Sequence, residues 1–400
     1  MKSIETLFFI FIFLKQFYIF GSGSLQPADI IFLITFCIYL YKKRGFSIRE
    51  IDKKLIVFFA FVYFINLTYY IFYLEKGFLI STFHYLFIIL VIILFRELSI
   101  KEFVVNKVFL SNLGKILKLV LITQLVIFFT GKGRYFGKVR YMGTFNDPNQ
   151  MAFNSYITFM LIFLIYNLLR KKLNIIYYII TIFLIIQTSS TGMLLGIISF
   201  SVLYMIFKTY RSIKYKKIKV LKVFIVVICS VIFCFLIKIL NSDNINKPNT
   251  IFDQVEYAIS KISGDDKKII IFDRLEEKLF KVSENNQGSN ILEDRGIDKM
   301  YIYPIYNLFG AGQGAYNRFD RSSLQNEIHS TLPSILFCYG IIPLIIVIRW
   351  GLNNLRRIPL EISAIYISLI IESFTLINQR QPLFWIIFMV GYLYKFEYKS

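Results

Sequence analysis

Histidine and cysteine are scarce in this chain of 400 residues, which has two histidines and four cysteines. The cysteines, Cys37, Cys229, Cys234 and Cys338, all fall inside apolar stretches and form no CxxC pair. This pattern indicates neither a disulfide framework nor a cysteine metal site. Acidic residues are also few, 25 against 46 lysines and arginines, so the net charge is +21. The basic residues occur in short groups rather than as a continuous stripe, which argues against nucleic-acid binding.

Apolar residues are abundant. Hydrophobic residues make up 56% of the chain and aromatic residues 18%, and the mean hydropathy is +0.60. A soluble globule of this length would need more polar side chains to cover its surface. The sequence therefore predicts an all-α, polytopic integral membrane protein.

The apolar runs predict about twelve transmembrane helices, taking about 20 residues as one span. The predicted spans are 6–20, 28–41, 55–74, 77–95, 109–130, 150–168, 174–188, 191–207, 220–240, 332–349, 359–377 and 382–395. Nine helices fall in 1–240 and three in 331–400, and segment 241–330 forms one large extracytoplasmic loop. The first run could instead be a cleaved signal peptide, but Lys15 interrupts it and favours an uncleaved helix.

Lysines and arginines concentrate in alternate connections, which the positive-inside rule places in the cytoplasm together with both termini. These residues are Lys42, Lys43, Arg44, Lys53, Lys54, Arg170, Lys171, Lys172, Lys208, Arg211, Lys214, Lys216, Lys217, Lys219, Arg349, Arg356, Arg357, Lys395 and Lys399. The other connections should face outward: 21–28, 131–149, the turn at Ser189, 241–329 and 378–381.

One predicted outer connection, 131–149, breaks this charge rule. It carries Lys132, Arg134, Lys138 and Arg140. Three explanations stay open: the topology is off by one span, the loop contacts anionic headgroups, or the arginines bind an anion such as a phosphate. Gly143, Asp147 and Pro148 predict a turn that runs into the sixth span, where free helix N–H groups favour anions.

Segment 241–330 is predicted to contain amphipathic helices at the outer surface. One covers 269–282, and a second covers 291–303, carries Arg295 and ends at Pro304. The glycine-rich run 310–314 follows. No strand precedes it, so it predicts a tight irregular turn rather than a dinucleotide site.

Glu327 and His329 come just before the tenth span. A histidine at a membrane surface is either an interfacial residue with satisfied hydrogen bonds or an acid–base group. The nearby carboxylate and glycine turn support the second role. His84 lies well inside a span, which favours packing or hydrogen bonding. Glu372 is also intramembrane, and such a costly carboxylate is a candidate site member.

Three elements together resemble the signature of the O-antigen ligase and polymerase superfamily: 140–152, Arg295 with the turn 310–314, and 327–340. Their order and spacing match across most of the chain. Two departures occur. Ser330 follows the histidine where family members commonly have Asn, and Ser190-Thr191-Gly192 stands where they have Ser-Arg at the outer end of the eighth span. The second departure removes one basic contact, so either Arg134 or Arg380 substitutes for it or the donor is held differently.

The resemblance implies a GT-C-like glycosyltransferase of the bacterial cytoplasmic membrane, without a cofactor, that joins glycans carried on polyprenyl pyrophosphate. His329 would orient or deprotonate the acceptor hydroxyl, and Glu327 would orient His329. The residues that would bind the pyrophosphate or the sugar are Arg140, Arg295, Arg134, Arg380, Asn146 and Asn149. A purely structural role in the turn stays open for the two asparagines.

The outer segments contain no Asp-x-Asp pair and no His/Cys ligand cluster, which predicts a metal-independent, inverting transfer. A polymerase that extends a chain of repeat units is favoured over a ligase that moves the glycan to lipid A core or protein. A flippase is a third alternative, disfavoured by the long polar segment 241–330 and the lack of an internal repeat. Expected partners are the lipid-linked donor, a glycan acceptor and membrane lipid, with a flippase and a chain-length regulator as further candidates.

Overall fold

The computed structural model describes residues 2–21, 26–101, 104–137, 140–214, 295–319 and 325–397. The predicted ninth span at 220–240, the predicted amphipathic helix at 269–282 and most of the predicted loop 241–330 lie outside these ranges.

Helices make up most of the described chain. They are α1 (Lys2–Leu14), α2 (Pro27–Lys43), α3 (Glu50–Tyr73), α4 (Lys76–Ser99), α5 (Lys107–Phe129), α6 (Pro148–Leu168), α7 (Ile176–Thr188), α8 (Thr191–Lys214), α9 (Lys299–Ile302), α10 (Ile305–Phe309), α11 (Thr331–Tyr339), α12 (Ile341–Leu355), α13 (Leu360–Ser373) and α14 (Pro382–Glu397). Two short antiparallel ribbons accompany them in these ranges. In the first, β1 (Ile100–Lys101) pairs with β2 (Val104–Val105), and in the second, β3 (Arg134–Phe136) pairs with β4 (Arg140–Gly143).

Five helices in the described ranges are long and apolar enough to cross a membrane: α3, α4, α5, α6 and Thr191–Arg211 of α8. Shorter apolar helices are α7 and α12. Large apolar side chains such as Phe64, Phe72 and Phe83 are exposed on these helices. Water would disfavour such a surface, whereas lipid tails would not. The structure thus supports a mostly helical, membrane-embedded protein.

The chain divides into two compact units. The first comprises Met1–Gly196, Gln287–Ile358 and Leu369–Ser400, and the second comprises Ile197–Asn286 and Pro359–Ser368. In the second unit, Arg211 of α8 pairs with Glu361 of α13. Every residue proposed above for the site belongs to the first unit.

The first helix is shorter than predicted. The predicted span 6–20 is wrong at its end, because α1 stops at Leu14. Lys15 follows, and its Nζ lies 2.5 Å from Oδ1 of Asp29 in α2. An ammonium left unpaired among apolar groups would be costly, so we infer that pairing with Asp29 determines where the chain leaves the helix.

The predicted tenth span, 332–349, is two helices rather than one. Gly340 separates α11 from α12 with a φ of 86°, a left-handed conformation that side chains rarely adopt. A Cβ at this position would overlap the carbonyl of Leu308. The break therefore depends on the absence of a side chain at Gly340.

The turn at 310–314 closes the end of α11 and is irregular, as predicted. The backbone N–H of Ala311 donates to the carbonyl of Phe337 at 2.9 Å, and that of Gly312 donates to the carbonyl of Cys338 at 2.8 Å. These bonds satisfy carbonyls that the helix break leaves without an intrahelical partner. Irregular backbone at membrane depth is tolerated where protein groups complete its hydrogen bonds in this way.

Replacing Gly340 with alanine should lower the stability by about 1–3 kcal/mol, because the new Cβ would be strained and would overlap the Leu308 carbonyl. The melting temperature in detergent measures this loss. Gly351 in α12 is the matched control, since its Cβ would make only an ordinary 3.6 Å contact with Phe388. Gly351→Ala should be neutral or stabilising by up to about 1 kcal/mol. Equal melting temperatures for the two variants would contradict this account of the break.

Candidate functional site

Glu327 and Arg380 form an ion pair, although 53 residues separate them in the sequence. Oε1 of Glu327 also accepts hydrogen bonds from Nε2 of Gln313 at 3.0 Å and from the hydroxyl of Tyr316 at 3.4 Å. Burial, the largest single effect, lowers the pKa of Arg380, but Glu327, Tyr316, Tyr85 and Tyr339 together raise it by more, so the net shift is upward. Arg380 therefore carries its charge at neutral pH. The carboxylate of Glu327 thus lies against Arg380, and its role in orienting His329 stays a prediction.

A buried polar network holds Glu327 in position. Gln313, which is fully buried, accepts a hydrogen bond from the hydroxyl of Tyr339 at 2.8 Å. Its backbone N–H donates to Oδ1 of Asn66 at 2.9 Å, and Nδ2 of Asn66 donates to Thr82 at 3.0 Å. Buried polar groups are costly without partners, so each bond constrains the next. The network fixes Glu327 relative to α3, α4 and α11.

Lys299 is a buried cation beside this network, and sequence analysis missed it. Its side chain is fully buried, and its ammonium has no hydrogen-bond partner within the described residues. Nζ lies 5.0 Å from the centre of the Tyr316 ring. Burial lowers the pKa of Lys299 to about 8, against smaller upward effects that include Glu327. An unpaired buried charge destabilises a fold, so packing does not explain this lysine.

His329 lies at the mouth of α11, as predicted, directly before the N-cap residue Ser330. Its side chain is exposed, and its backbone N–H donates to the carbonyl of Arg295 at 2.9 Å. The guanidinium of Arg295 donates to the carbonyls of Phe374, at 3.4 Å, and Thr375, just beyond the end of α13. The structure thus places His329 and Arg295 side by side.

Arg295 does not lie on a helix, contrary to the prediction for 291–303. It lies in a turn, and the helix in the described part of that segment is only α9. Gly296 has a φ of 63°, and a Cβ there would lie 3.4 Å from the carbonyl oxygen of Glu327. The left-handed glycine ends regular helix geometry and lets this turn approach the Glu327 segment closely.

Arg140 joins three elements of the first unit. It lies on β4, its Nε donates to the carbonyl of Thr188 at the end of α7, and its Nη2 donates to Oδ1 of Asn149 in α6, each at 3.0 Å. The side chain is half-buried. Asn149 thus holds the Arg140 guanidinium, and the binding of a sugar by Asn149 stays a prediction.

Arg134 lies on β3, so the two arginines of connection 131–149, predicted to face outward, lie on the two strands of one hairpin. Nη1 of Arg134 donates to Oδ1 of Asn146 at 2.8 Å, and Nδ2 of Asn146 donates to the carbonyl of Phe20 at 2.8 Å. Asn146 also positions its loop. The hairpin was not predicted from the sequence. A signal for it was present, because aromatic residues, which favour strands, flank Gly137. The φ of Gly137 is 58°, a value that suits a tight turn.

The N-terminus of α6 is less open to anions than predicted. Asp147 is its N-cap and Pro148 its first residue, in agreement with the predicted turn. Oδ1 of Asp147, however, accepts hydrogen bonds from the backbone N–H groups of Asn149 at 2.7 Å and Gln150 at 3.2 Å. These two N–H groups therefore already donate to the Asp147 carboxylate rather than to a bound anion. Anion binding in this region would therefore rest on the arginine side chains.

Contacts made by Tyr18 and Gly192 show which segments lie next to the loop that carries Arg140. The backbone N–H of Tyr18 donates to the carbonyl of Thr144 at 3.1 Å, and its hydroxyl accepts from Nε2 of Gln381 at 3.3 Å. Gly192, at the start of α8, lies so close to Thr375 that a Cβ would overlap it. The Arg140 loop thus adjoins both the Arg380 connection and the end of α13 that binds Arg295.

His84 and Glu372 lie next to the connection between α13 and α14, which carries Arg380. Nδ1 of His84 donates to the carbonyl of Ile80 at 2.9 Å, in agreement with the predicted hydrogen-bonding role, and His84 interacts electrostatically with Arg380. Glu372 is fully buried, and its Oε2 accepts from Nδ2 of Asn378 at 2.5 Å. We infer that Glu372 helps to hold the connection that carries Arg380.

Models of known protein families give no match to the chain, and neither do the curated proteins searched.

Replacing Lys299 with methionine should stabilise the protein at pH 7 by about 1–3 kcal/mol, because it removes a buried ammonium without a partner. The folded-state pKa of about 8 lies below the ordinary value of 10.5, so the unfolded chain binds more protons between these two values. The stability of the wild type should therefore rise as pH increases through this window and be lowest below it. Unfolding temperatures in detergent at pH 7 and pH 10 measure both effects.

The exposed Lys115 of α5 provides the control, and Lys115→Met should change neither the stability nor its pH dependence. A lower melting temperature for Lys299→Met at pH 7 would contradict the assignment of Lys299 as an unpaired charge.

Proposed function

We propose that the chain is a polysaccharide polymerase. It joins polyprenyl-pyrophosphate-linked oligosaccharide repeat units at the outer face of the bacterial cytoplasmic membrane, in O-antigen, capsule or exopolysaccharide synthesis. The twelve-span, GT-C-like architecture with both termini in the cytoplasm belongs to the same proposal. The observation that supports it best is the gathering of Arg140, Arg295, His329 and the Glu327–Arg380 pair within the first unit, although distant segments supply them.

Arginine side chains would stabilise the leaving group. In this reaction the bond between the donor sugar C1 and the pyrophosphate oxygen breaks, and negative charge develops on the departing lipid pyrophosphate. A guanidinium offers several donors in a planar fork that matches phosphate oxygens. Preorganised cations at the place where charge develops lower the barrier. Arg140, Arg295 and Arg380 would do this, with Arg134 nearer the rim because its side chain is exposed.

His329 would take the proton of the acceptor. The acceptor hydroxyl oxygen forms the new bond to C1 from the face opposite the leaving group, which inverts the configuration, and its proton passes to the imidazole. The exposed position of His329 at the mouth of α11 leaves room for a sugar. Glu327 would act as a positioning residue that holds Arg380, because its carboxylate already bonds to Arg380, Gln313 and Tyr316.

The same residues would serve an O-antigen ligase, since a ligase and a polymerase share the leaving group and differ in the acceptor. The break at Gly340 favours a third candidate, a lipid-linked oligosaccharide flippase, because transporters often use discontinuous helices at their substrate sites. The polymerase remains the proposal, since it gives a role to His329 as well as to the arginines.

Purified protein in detergent, given polyprenyl-pyrophosphate-linked repeat units and a metal chelator, should produce a ladder of longer lipid-linked glycans on a gel. His329→Ala should reduce the rate by about 100- to 10,000-fold, the usual contribution of a positioned base. Arg140→Ala should also lose the ladder. Arg357→Ala is the matched control, because Arg357 is exposed just after α12, and it should retain the wild-type rate.

The alternative functions have separate outcomes in this assay. Transfer that appears only when lipid A core or protein is added would identify a ligase. Inactivity with every acceptor, together with translocation of the donor across vesicles, would identify a flippase. A ladder unchanged by His329→Ala would contradict the role assigned to His329.

A further inference from the structure

Lys118 of α5 is a half-buried cation inside the predicted span 109–130. Its Nζ lies 4.1 Å from the centre of the Tyr166 ring and 4.6 Å from the centre of the Tyr177 ring. Within the described residues it forms no ion pair. Aromatic faces attract a cation but do not neutralise it. An ammonium without an opposite charge is costly in a membrane span, so Lys118 needs a further explanation.

Gly114, one turn before Lys118, allows this arrangement. A Cβ at Gly114 would lie 3.1 Å from Cε2 of Tyr166, closer than an ordinary contact, so a glycine lets α6 bring that ring against α5. Tyr166 lies two residues before the end of α6, and Tyr177 is the second residue of α7. The ammonium therefore lies level with the turn between these helices, although Lys118 is eleven residues, roughly 16 Å, from the start of α5. Lysine side chains in membranes extend toward the headgroups in this way.

Lys171 adds a second cation at the same level. It lies just after α6, its side chain is exposed, and its Nζ donates to Oγ of Ser111 at 3.0 Å. Ser111 lies seven residues before Lys118, which places both on the same face of α5. Two ammonium groups from different elements thus converge on one face of this helix.

The nearest cations to this pair in the sequence have a carboxylate, whereas the pair itself has none. Oε2 of Glu397 lies 3.3 Å from Nζ of Lys107, and its Oε1 lies 3.8 Å from Nη2 of Arg170. Neither Lys118 nor Lys171 pairs with a carboxylate in the part of the chain that the structure describes. This excess of positive charge is complementary to an anion.

An exposed apolar stripe continues along α5 from these cations. Leu119, Ile122 and Val126 are 46%, 38% and 52% exposed, and they recur at the three- and four-residue spacing of one helix face. From Leu119 to Phe129, where α5 ends, the helix rises about 15 Å. The hydrocarbon core of a bilayer is about 30 Å thick, so the stripe is as long as the acyl chains of one leaflet.

We propose that this part of α5 and the turn 169–175 bind an anionic glycerophospholipid, with its phosphate between Lys118 and Lys171 and its acyl chains along the exposed stripe. The sequence predicts that this turn faces the cytoplasm, where basic sites between helices bind anionic headgroups. The site uses none of the residues proposed for glycan transfer and does not depend on that function. A lipid that binds only the folded chain stabilises the packing of α5, α6 and α7.

Native mass spectrometry of the delipidated protein in detergent measures this binding. Dioleoyl phosphatidylglycerol is the anionic probe, and dioleoyl phosphatidylcholine, which carries a phosphate but no net charge, is the comparison. Lys118→Gln/Lys171→Gln should weaken phosphatidylglycerol binding about 25-fold, because each lysine near an anionic headgroup contributes about fivefold. Phosphatidylcholine binding should not change. Equal affinity of the wild type for the two lipids would overturn the proposal.

Lys53→Gln/Lys54→Gln is the matched control. It removes two positive charges from the same predicted face, and Lys53 already pairs with Glu50, so affinity for phosphatidylglycerol should stay at the wild-type value. An equal loss in both double variants would show an effect of net charge alone and would contradict the site. Lys171→Gln alone, at an exposed position, should weaken binding about fivefold, and it gives the test if Lys118→Gln/Lys171→Gln does not fold.

A headgroup without acyl chains distinguishes a lipid from a soluble phosphate. Glycerol 1-phosphate at the same concentration as phosphatidylglycerol should not displace it, because it cannot contact the exposed stripe. Displacement would show that a soluble phosphate is the ligand and would overturn the lipid assignment.

Discussion

The partly buried carboxylate of Glu327 is the constraint on which this part of the structure depends. A charge removed from water is tolerated only with close partners, and these come from two distant segments: Arg380 from the α13–α14 connection, and Gln313 and Tyr316 from the region of the glycine turn. Gln313 lies there because the turn at 310–314 closes the break at Gly340. The helix break, the glycine turn and the candidate site thus form one arrangement.

Features that are unfavourable for stability cluster around the same pair. Lys299 is charged, buried and without a hydrogen-bond partner in the described chain, and Gly340 interrupts a helix inside a predicted span. Departures from locally favourable structure are expected where function requires them. Lys299 interacts electrostatically with Glu327, and the break at Gly340 is closed by the turn that carries Gln313, which supports a functional role for this region.

The helices were largely predictable because an apolar run is a local signal; α6 and α14, for example, begin within two residues of the predicted spans. The sequence also indicated Glu327 and His329 as candidate site residues, because they lie together between a glycine turn and an apolar span. The features that were missed depend on partners far away along the chain. The end of α1 depends on Asp29, and the break at Gly340 depends on Ala311 and Gly312. The Glu327–Arg380 pair and the burial of Lys299 result from tertiary packing, which no local pattern encodes.

The most direct measurement is a cryo-electron microscopy structure of the protein in lipid nanodiscs with polyprenyl pyrophosphate bound. The account predicts phosphate density within hydrogen-bond distance of Arg380, on the side of the protein that carries His329 and Arg295. Phosphate density near Arg357, just after α12, would contradict the account.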